Sequence, residues 1–248
     1  MFDLSVSVSI VSHGHGEMVA RLVSQLIGYP EVVEIILTKN IPELLPLPDS
    51  PKIHILENVV VSGFGKNHNA AFALASGSYF CILNPDVIFI NNPFSRLLDR
   101  LESLDACLVA PMVLCVDGGV EDSIRYFPTP VSIAKKLIWG DQSRYHFTQD
   151  SPSFSPEWVA GMFMLFKSHQ FFRIGGFDER YYLYYEDVDI CTRIWRNGGL
   201  IIAVPQVQII HDAQRASRNN YLHFKWHIFS MGRYFTKYLW RLPRVGII

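Results

Sequence analysis

Long apolar runs are missing from this chain. No stretch approaches the ~20 apolar residues that span a bilayer, and the N-terminus has no basic segment leading into an apolar core. The expectation is a protein that is neither secreted nor membrane-spanning. An excess of one charge is also missing: 22 Lys plus Arg stand against 23 Asp plus Glu, a net charge of -1. That balance excludes a nucleic-acid binder held by bulk electrostatics. Cysteine is sparse, and Cys81, Cys107, Cys115 and Cys191 stand singly in apolar segments without CxxC or disulfide-rich spacing; a reducing cytosol suits them. A dinucleotide fingerprint is absent as well, because Gly63-Phe64-Gly65-Lys66-Asn67 fails the GxGxxG spacing. At 248 residues the chain fits one large domain and requires no second.

What is present alternates between strand and helix, the pattern of a mostly parallel α/β sheet. A Val/Ser-alternating strand over Leu4–Val11 ends in Ser12-His13-Gly14-His15-Gly16, and a helix carries Val19, Leu22, Val23, Leu26 and Ile27 on one face. Val33–Thr38 and Lys52–Leu56 read as short buried strands. Gly63 to Asn67 opens a helix expected to run to a stop at Gly77. Tyr79–Leu83 is a strand ending abruptly at Asn84-Pro85-Asp86, and Asn92 caps a helix over Phe94–Leu104. Ligands of open α/β sheets bind at the carboxyl ends of strands, so Asp86 stands where a metal- or phosphate-handling acid belongs; a plain turn is the alternative.

After the strand Ala106–Val113, the region from Arg125 to Pro130 reads as irregular and Lys135–Ser155 shows no period, which suggests a mobile loop near an acceptor. Trp158–Lys167 is apolar, and Gly161 within it marks a bulge or a close backbone approach. Leu200–Val204 and Val207–Ile210 read as two strands broken by Pro205, the second delivering His211-Asp212.

Three carboxylates, Glu186, Asp187 and Asp189, interrupt the aromatic run Tyr181 to Tyr185, and helical spacing of Val188, Cys191 and Trp195 follows, with Gly198 as a stop. Glu186 and Asp187 thus fall at a helix N-terminus, where the dipole favours an ionised base at neutral pH. Simple N-capping is the competing reading. Asp189 and Arg193 are spaced for a supporting ion pair. From Leu222 a last helix carries Ile228, Met231, Phe235, Leu239 and Leu242 along one stripe, with Arg233, Lys237 and Arg241 nearly opposite. That pattern suits either a core-packed helix with a solvated basic face or an interfacial membrane helix.

Gly63-Phe64-Gly65-x-Asn67, Asn84-Pro85-Asp86-Val87, Gly175-Gly176-Phe177-Asp178-Glu179, Tyr185-Glu186-Asp187-Val188-Asp189 and His211, in this order, resemble the inverting GT-A glycosyltransferases of family 2, most closely the rhamnosyltransferase-like branch. The resemblance runs from about Leu4 to Ser217. It implies a GT-A domain over 1–220 followed by a C-terminal amphipathic helix and tail over 221–248, a nucleotide-diphosphate sugar donor, a divalent Mn2+ or Mg2+, and inversion at the anomeric carbon. It implies that Asp86 holds metal and diphosphate, that His211 completes that site, and that Asp187, paired with Glu186, supplies the base. Ser12, His13, Thr38, Asn40, Gly65, Asn67, Asn84, Trp158 and Gly161 are the candidate substrate contacts.

One departure stands out: where the family carries an Asp-Asn pair after the second strand, this chain has Thr38-Lys39-Asn40. Three readings follow. Thr38 or Asn40 bonds the nucleotide, Lys39 reaches phosphate, or the chain is a non-catalytic sugar- or nucleotide-binding protein of the same fold. Glycoside hydrolysis by two carboxylates needs neither a strand-end metal acid nor a histidine partner and fits less well. The leading expectation is a cytoplasmic transferase, peripheral at the inner face of the membrane, moving L-rhamnose from dTDP-rhamnose to a glycan or polyprenyl-diphosphate-linked saccharide in surface-polysaccharide synthesis, with no nucleic-acid partner.

Overall fold

A computed structural model describes residues 4–140, 144–212, 221–238, 241–243 and 245. In chain order the elements are β1 (Val6–Ser12), α1 (Glu17–Ile27), β2 (Val32–Lys39), β3 (Ile53–Glu57), α2 (Phe64–Phe72), β4 (Tyr79–Leu83), β5 (Val87–Phe89), α3 (Phe94–Ser103), β6 (Leu108–Cys115), β7 (Ile124–Arg125), α4 (Pro130–Trp139), β8 (Trp158–Val159), β9 (Phe163–Lys167), α5 (Ser168–Ile174), α6 (Glu186–Arg196), β10 (Ile201–His211) and α7 (Tyr221–Tyr238). Eight strands form one sheet in the order β3-β2-β1-β4-β9-β6-β10-β5, and β7 and β8 make a two-stranded ribbon. β3, β2, β1 and β4 run parallel, as do β6 and β10. β9 enters antiparallel between β4 and β6, and β5 is an antiparallel edge on β10.

The sheet is buried on both faces. Val6, Val8 and Ile10 face α1 and α3 in one apolar cluster; the opposite face packs under α2, α5, α6 and α7. The alternating serines of β1 therefore do not meet water. Ser7 Oγ donates to Glu34 Oε1 at 2.5 Å, and Ser9 Oγ lies 2.8 Å from His68 Nδ1. Both of these buried hydroxyls have a partner, as burial of a polar group requires. Burial pushes the His68 pKa down to about 3, so the imidazole is a neutral structural group.

Several sequence expectations change. α2 ends at Phe72, and Gly77 is no helix stop: a Cβ there would meet Ser7 N at 2.7 Å, so its lack of a side chain lets β1 pass. The region read as irregular contains α4, and α5 follows β9. The apolar stretch from Trp158 splits into β8 and β9 around the turn containing Gly161. The two strands expected around Pro205 are one, β10, with a register shift between Val204 and Gln208 that accommodates the proline.

The C-terminal helix also turns a different face inward. Ser230, Tyr234 and Tyr238 are buried, Met231 and Phe235 only partly, and Ile228 is exposed. Lys237, expected on a solvated face, is an internal ion-pair partner, with Nζ 2.5 Å from Asp189 Oδ1 and 2.8 Å from Asp178 Oδ2. Leu239 and Trp240, and residues 213–217 at the end of the family resemblance, lie outside the described residues.

Candidate active site

Parallel strands deliver their carboxyl ends to one rim of the sheet. β1 ends at Ser12 opposite Lys39 of β2. β4 ends where Asn84-Pro85-Asp86 turns the chain into β5, and β5 returns beside β10 with Val87 opposite His211. A backbone bond from Asp212 N to Asp86 O, 2.9 Å, fixes the two strand ends together. His211 Nε2 lies 3.1 Å from Asp86 Oδ1, while the other ring nitrogen, Nδ1, is buried without a hydrogen-bond partner.

The carboxylate oxygen of Asp86 and the imidazole nitrogen Nε2 that faces it, both largely buried, are donor types that fit a divalent cation. No cluster of three such protein ligands occurs among the described residues. Burial opposes a charge on His211, but the adjacent Asp86 carboxylate, with Glu121 and Asp212, outweighs it and raises the imidazole pKa. Glu121 was not legible in the sequence. Its Oε2 lies 4.0 Å from His211 Nδ1 and accepts from Cys115 Sγ at 2.9 Å.

The acid pair stands at the start of α6, as its spacing predicts. The chain enters through Tyr184 and Tyr185, both left-handed at φ 69. Two such aromatic residues in tandem cost on the order of 1–3 kcal/mol each and persist only where the surroundings impose them. Here the surroundings are α7: Tyr184 Oη lies 2.9 Å from His223 Nδ1, and Ser230 Oγ donates to Leu183 O at 2.9 Å. Asp187 Oδ1 accepts from Val188 N at 2.8 Å and Oδ2 from Gly161 N at 3.2 Å.

Burial raises the Asp187 pKa to about 6 against the pull of those N–H groups and of Arg125. Glu186 is buried beside it, with Oε2 unpartnered, and is driven well up by burial and then by the Asp187 charge. Burial thus opposes ionisation of both acids, offset at Asp187 by its N–H donors and Arg125 and reinforced at Glu186 by the Asp187 charge.

The two halves meet through one dipeptide. Gly161 N donates to Asp187, while Met162 O accepts from Asn84 N at 3.0 Å. The Asn84-Pro85-Asp86 turn and Asp187 are therefore linked through this dipeptide by two hydrogen bonds. The close approach expected at Gly161 is real, since a Cβ would stand 2.9 Å from the Phe64 ring.

Other predicted contacts have internal partners. Asn40 accepts from Asn58 Nδ2 at 2.8 Å and Ser62 N at 2.9 Å, and donates to Ser62 O at 3.0 Å. Asn67 accepts from Asn58 Nδ2 at 2.7 Å. These amides shape the loop leading to Gly63, and His13 Nδ1 lies 3.3 Å from Asn40 Nδ2. Lys39 is tied to Glu57 at 2.5 Å. The hydroxyl of Thr38 is buried without a partner, and that of Ser12 lies beside the Glu43 carboxylate. Trp158 Nε1 donates to Tyr126 O at 2.9 Å, and the space over Gly65 is filled by Phe177, 2.6 Å from where a Cβ would lie. Beyond the end of β2 a cavity of about 490 Å3 is lined by Lys39, Ile41, Glu43, Glu57 and Asn58.

Gly63 is the tightest of these positions. A Cβ would lie 2.4 Å from Tyr182 O, and Phe64 N already donates to that oxygen at 3.0 Å. Gly63→Ala is expected to destabilise by ~1–3 kcal/mol through overpacking, read as a lower midpoint in chemical denaturation.

The sheet with this strand order is the GT-A fold, and on it a strand-end acid faces a histidine while a buried carboxylate pair opens a helix. In sequence the chain is similar to rhamnosyltransferases. The chain is 29% identical, over 248 aligned positions covering 94% of it and 93% of the relative, to the rhamnosyltransferase WbbL of Escherichia coli K12. It is 30% identical over 139 residues to the N-acetylglucosaminyl-diphospho-decaprenol L-rhamnosyltransferase of Mycobacterium tuberculosis, matching 52% of this chain and 45% of that relative; the match thus spans under half the mycobacterial protein's length. Residues 144–225 match the family described as the N-terminal domain of galactosyltransferase.

In fold, GalNAc-T7, solved with UDP, GalNAc and Mn2+, superposes with a TM-score of 0.66 at 17% identity over 84% of this chain and 44% of its own. The mannosyltransferase PcManGT of Pyrobaculum calidifontis, solved with GDP-Man and Mn2+, superposes with a TM-score of 0.60 at 15% identity over 97% and 65%.

Proposed function

We propose that the protein is an inverting, metal-dependent rhamnosyltransferase that moves L-rhamnose from dTDP-rhamnose to a polyprenyl-diphosphate-linked saccharide during polysaccharide synthesis. The observation that carries the reading is the dipeptide Gly161-Met162, which binds the Asn84-Pro85-Asp86 turn on one side and Asp187 on the other. The names of the E. coli and mycobacterial relatives supply the sugar, and that of the mycobacterial relative supplies the lipid-linked acceptor.

In this reading Asp86 and His211 would hold Mn2+ or Mg2+ against the donor diphosphate, where the ion would neutralise the charge that develops on the leaving group. Asp187 takes the proton of the acceptor hydroxyl as its oxygen bonds to the anomeric carbon. The bond from that carbon to the diphosphate breaks on the opposite face, so one base suffices and configuration inverts. A carboxylate with a pKa near 6 is better matched to that task than an exposed one, because base strength rises with pKa while the group stays mostly ionised at neutral pH. Protonated Glu186 adds no second charge beside the incoming hydroxyl.

The test is transfer from a panel of nucleotide sugars to a synthetic polyprenyl-diphosphate N-acetylglucosamine, with the product anomer read by NMR. dTDP-rhamnose used with inversion, and silence in chelator, is the expected result; retention of configuration or an inert protein with every donor would sink the reading. Asp86→Ala is expected to weaken metal-dependent binding of the nucleotide diphosphate at least tenfold in calorimetry. Wild-type binding that is as tight in chelator as with metal would remove the metal role.

A further inference from the structure

We propose that the first half of α7 is a lipid-docking surface that seats the protein on an anionic bilayer, with the Glu186-Asp187 shoulder beside the membrane. Tyr221, Phe224, Ile228 and Phe229 are 78%, 64%, 43% and 67% exposed. At ~100° per residue they share one face with Lys225, opposite the buried face of Ser230, Tyr234 and Tyr238. An exposed cluster of large aromatic and aliphatic side chains marks an interaction site rather than ordinary surface.

Charge selects the occupant. Residues 221–238 contain no Asp or Glu, while Lys225, Arg233 and two histidines are present. Lys225 Nζ stands 5.8 Å over the Phe229 ring, so a cation accompanies the apolar face. Aromatic rings combined with bases and no acids suit the depth of lipid head groups. Size argues the same way: the four apolar side chains offer on the order of 500 Å2, short of the ~800 Å2 per partner of a stable protein–protein interface.

The patch is also joined to the site. On the inner side of this half-helix, His223 Nδ1 lies 2.9 Å from Tyr184 Oη, and Trp226 packs on Tyr182 at 4.7 Å, both within the run that precedes Glu186. A surface so placed brings a lipid-borne acceptor to the carboxylate pair. The inference rests on the proposed transferase reading only for that acceptor; docking itself needs neither donor nor metal.

Flotation of the full chain, without donor, on vesicles of phosphatidylcholine with and without phosphatidylglycerol tests it. Wild type is expected to float with the anionic vesicles. The triple variant Tyr221→Ser, Phe224→Ser, Phe229→Ser should bind at least tenfold more weakly with its melting temperature and its rate on a water-soluble acceptor kept. Lys225→Gln with Arg233→Gln should weaken binding by roughly fivefold per residue at low salt. Undiminished flotation of the triple variant overturns the proposal, as does wild type that floats with neither vesicle. A wild-type dimer that the triple variant turns into a monomer, without vesicle binding, assigns the face to a second copy. Donor hydrolysis, scored separately, reports on the transferase reading alone.

Discussion

Asp187→Asn is expected to lower transfer by roughly 10²–10⁴-fold while leaving donor and metal affinity in place, because an amide cannot accept the hydroxyl proton. Asn caps a helix about as well as Asp, so a protein in which Asp187 only caps would keep its rate, and near wild-type transfer would return the residue to that role. Stability moves the other way from activity. The folded pKa of Asp187 is raised to about 6 by burial, above the unfolded value near 3.9. Folding therefore favours the protonated acid, and ionisation subtracts stability as pH rises from about 4 through 6. The Asn variant should accordingly melt no lower than wild type at pH 7.5, and any gain should vanish near pH 4. In the wild type, kcat/KM should rise with pH on an apparent pKa near 6. A flat profile between pH 5 and 8 would argue against an ionising base.

The second large effect is structural. Asp189 is fully buried, and its carboxylate meets Arg193 Nε at 2.8 Å, Lys237 Nζ at 2.5 Å and Tyr238 Oη at 2.7 Å. Lys237 also reaches Asp178, whose pKa is pulled far down by Arg180 and then by Lys237. Removing one partner of a buried charge cluster leaves the others uncompensated, at about 3–5 kcal/mol. Asp189→Ala is expected to cost that much, a fall in Tm on the order of 10 °C for a domain of this size, and to expose α7 to limited proteolysis. Lys237→Met should cost less, since Lys237 keeps some solvent contact, and the double variant should lose less than the sum of the two. Additive losses would show that the pair does not couple α6 to α7.

Motif order made much of the site readable from sequence. A strand that stops at Asn84-Pro85-Asp86 and a histidine at the end of another strand lie where the rule of carboxyl ends puts them, and the structure brings them within 3.1 Å. α6 starts at Glu186 as its spacing requires. The readings that failed share a physical cause: hydropathy sees apolar atoms, and parts of this protein are buried through polar ones. The inner face of α7 carries three hydroxyls, each satisfied. Ser230 bonds Leu183 O, Tyr234 Oη lies 2.8 Å from Thr192 Oγ1, and Tyr238 bonds Asp189. A hydrophobicity wheel ranks that face below the stripe through Ile228, Met231 and Phe235, of which Ile228 is exposed and the other two are only partly buried. Glu186 misled for a related reason, since the dipole at a helix start can be read from spacing whereas desolvation depends on what packs above it. The part played by Thr38-Lys39-Asn40 was equally hidden: Asn40 is committed to Asn58 and Ser62, residues that meet it only after folding.

The reciprocal pair between Asn69 and Phe177, in which Asn69 Nδ2 donates to Phe177 O and Phe177 N donates to Asn69 Oδ1, both at 2.9 Å, spans 108 positions of the chain. Together with the bond from Phe64 to Tyr182, it joins the N-terminal half of the cleft to the segment carrying the acids. Contacts so distant in sequence close a large loop and form slowly. Closure of the cleft is thus expected late in folding, and a nascent chain that has not yet emerged beyond Tyr182 lacks β10 with His211 as well as the acid pair. Nucleotide binding should appear in refolding kinetics only with the slowest phase, after the sheet's far-ultraviolet signal is complete.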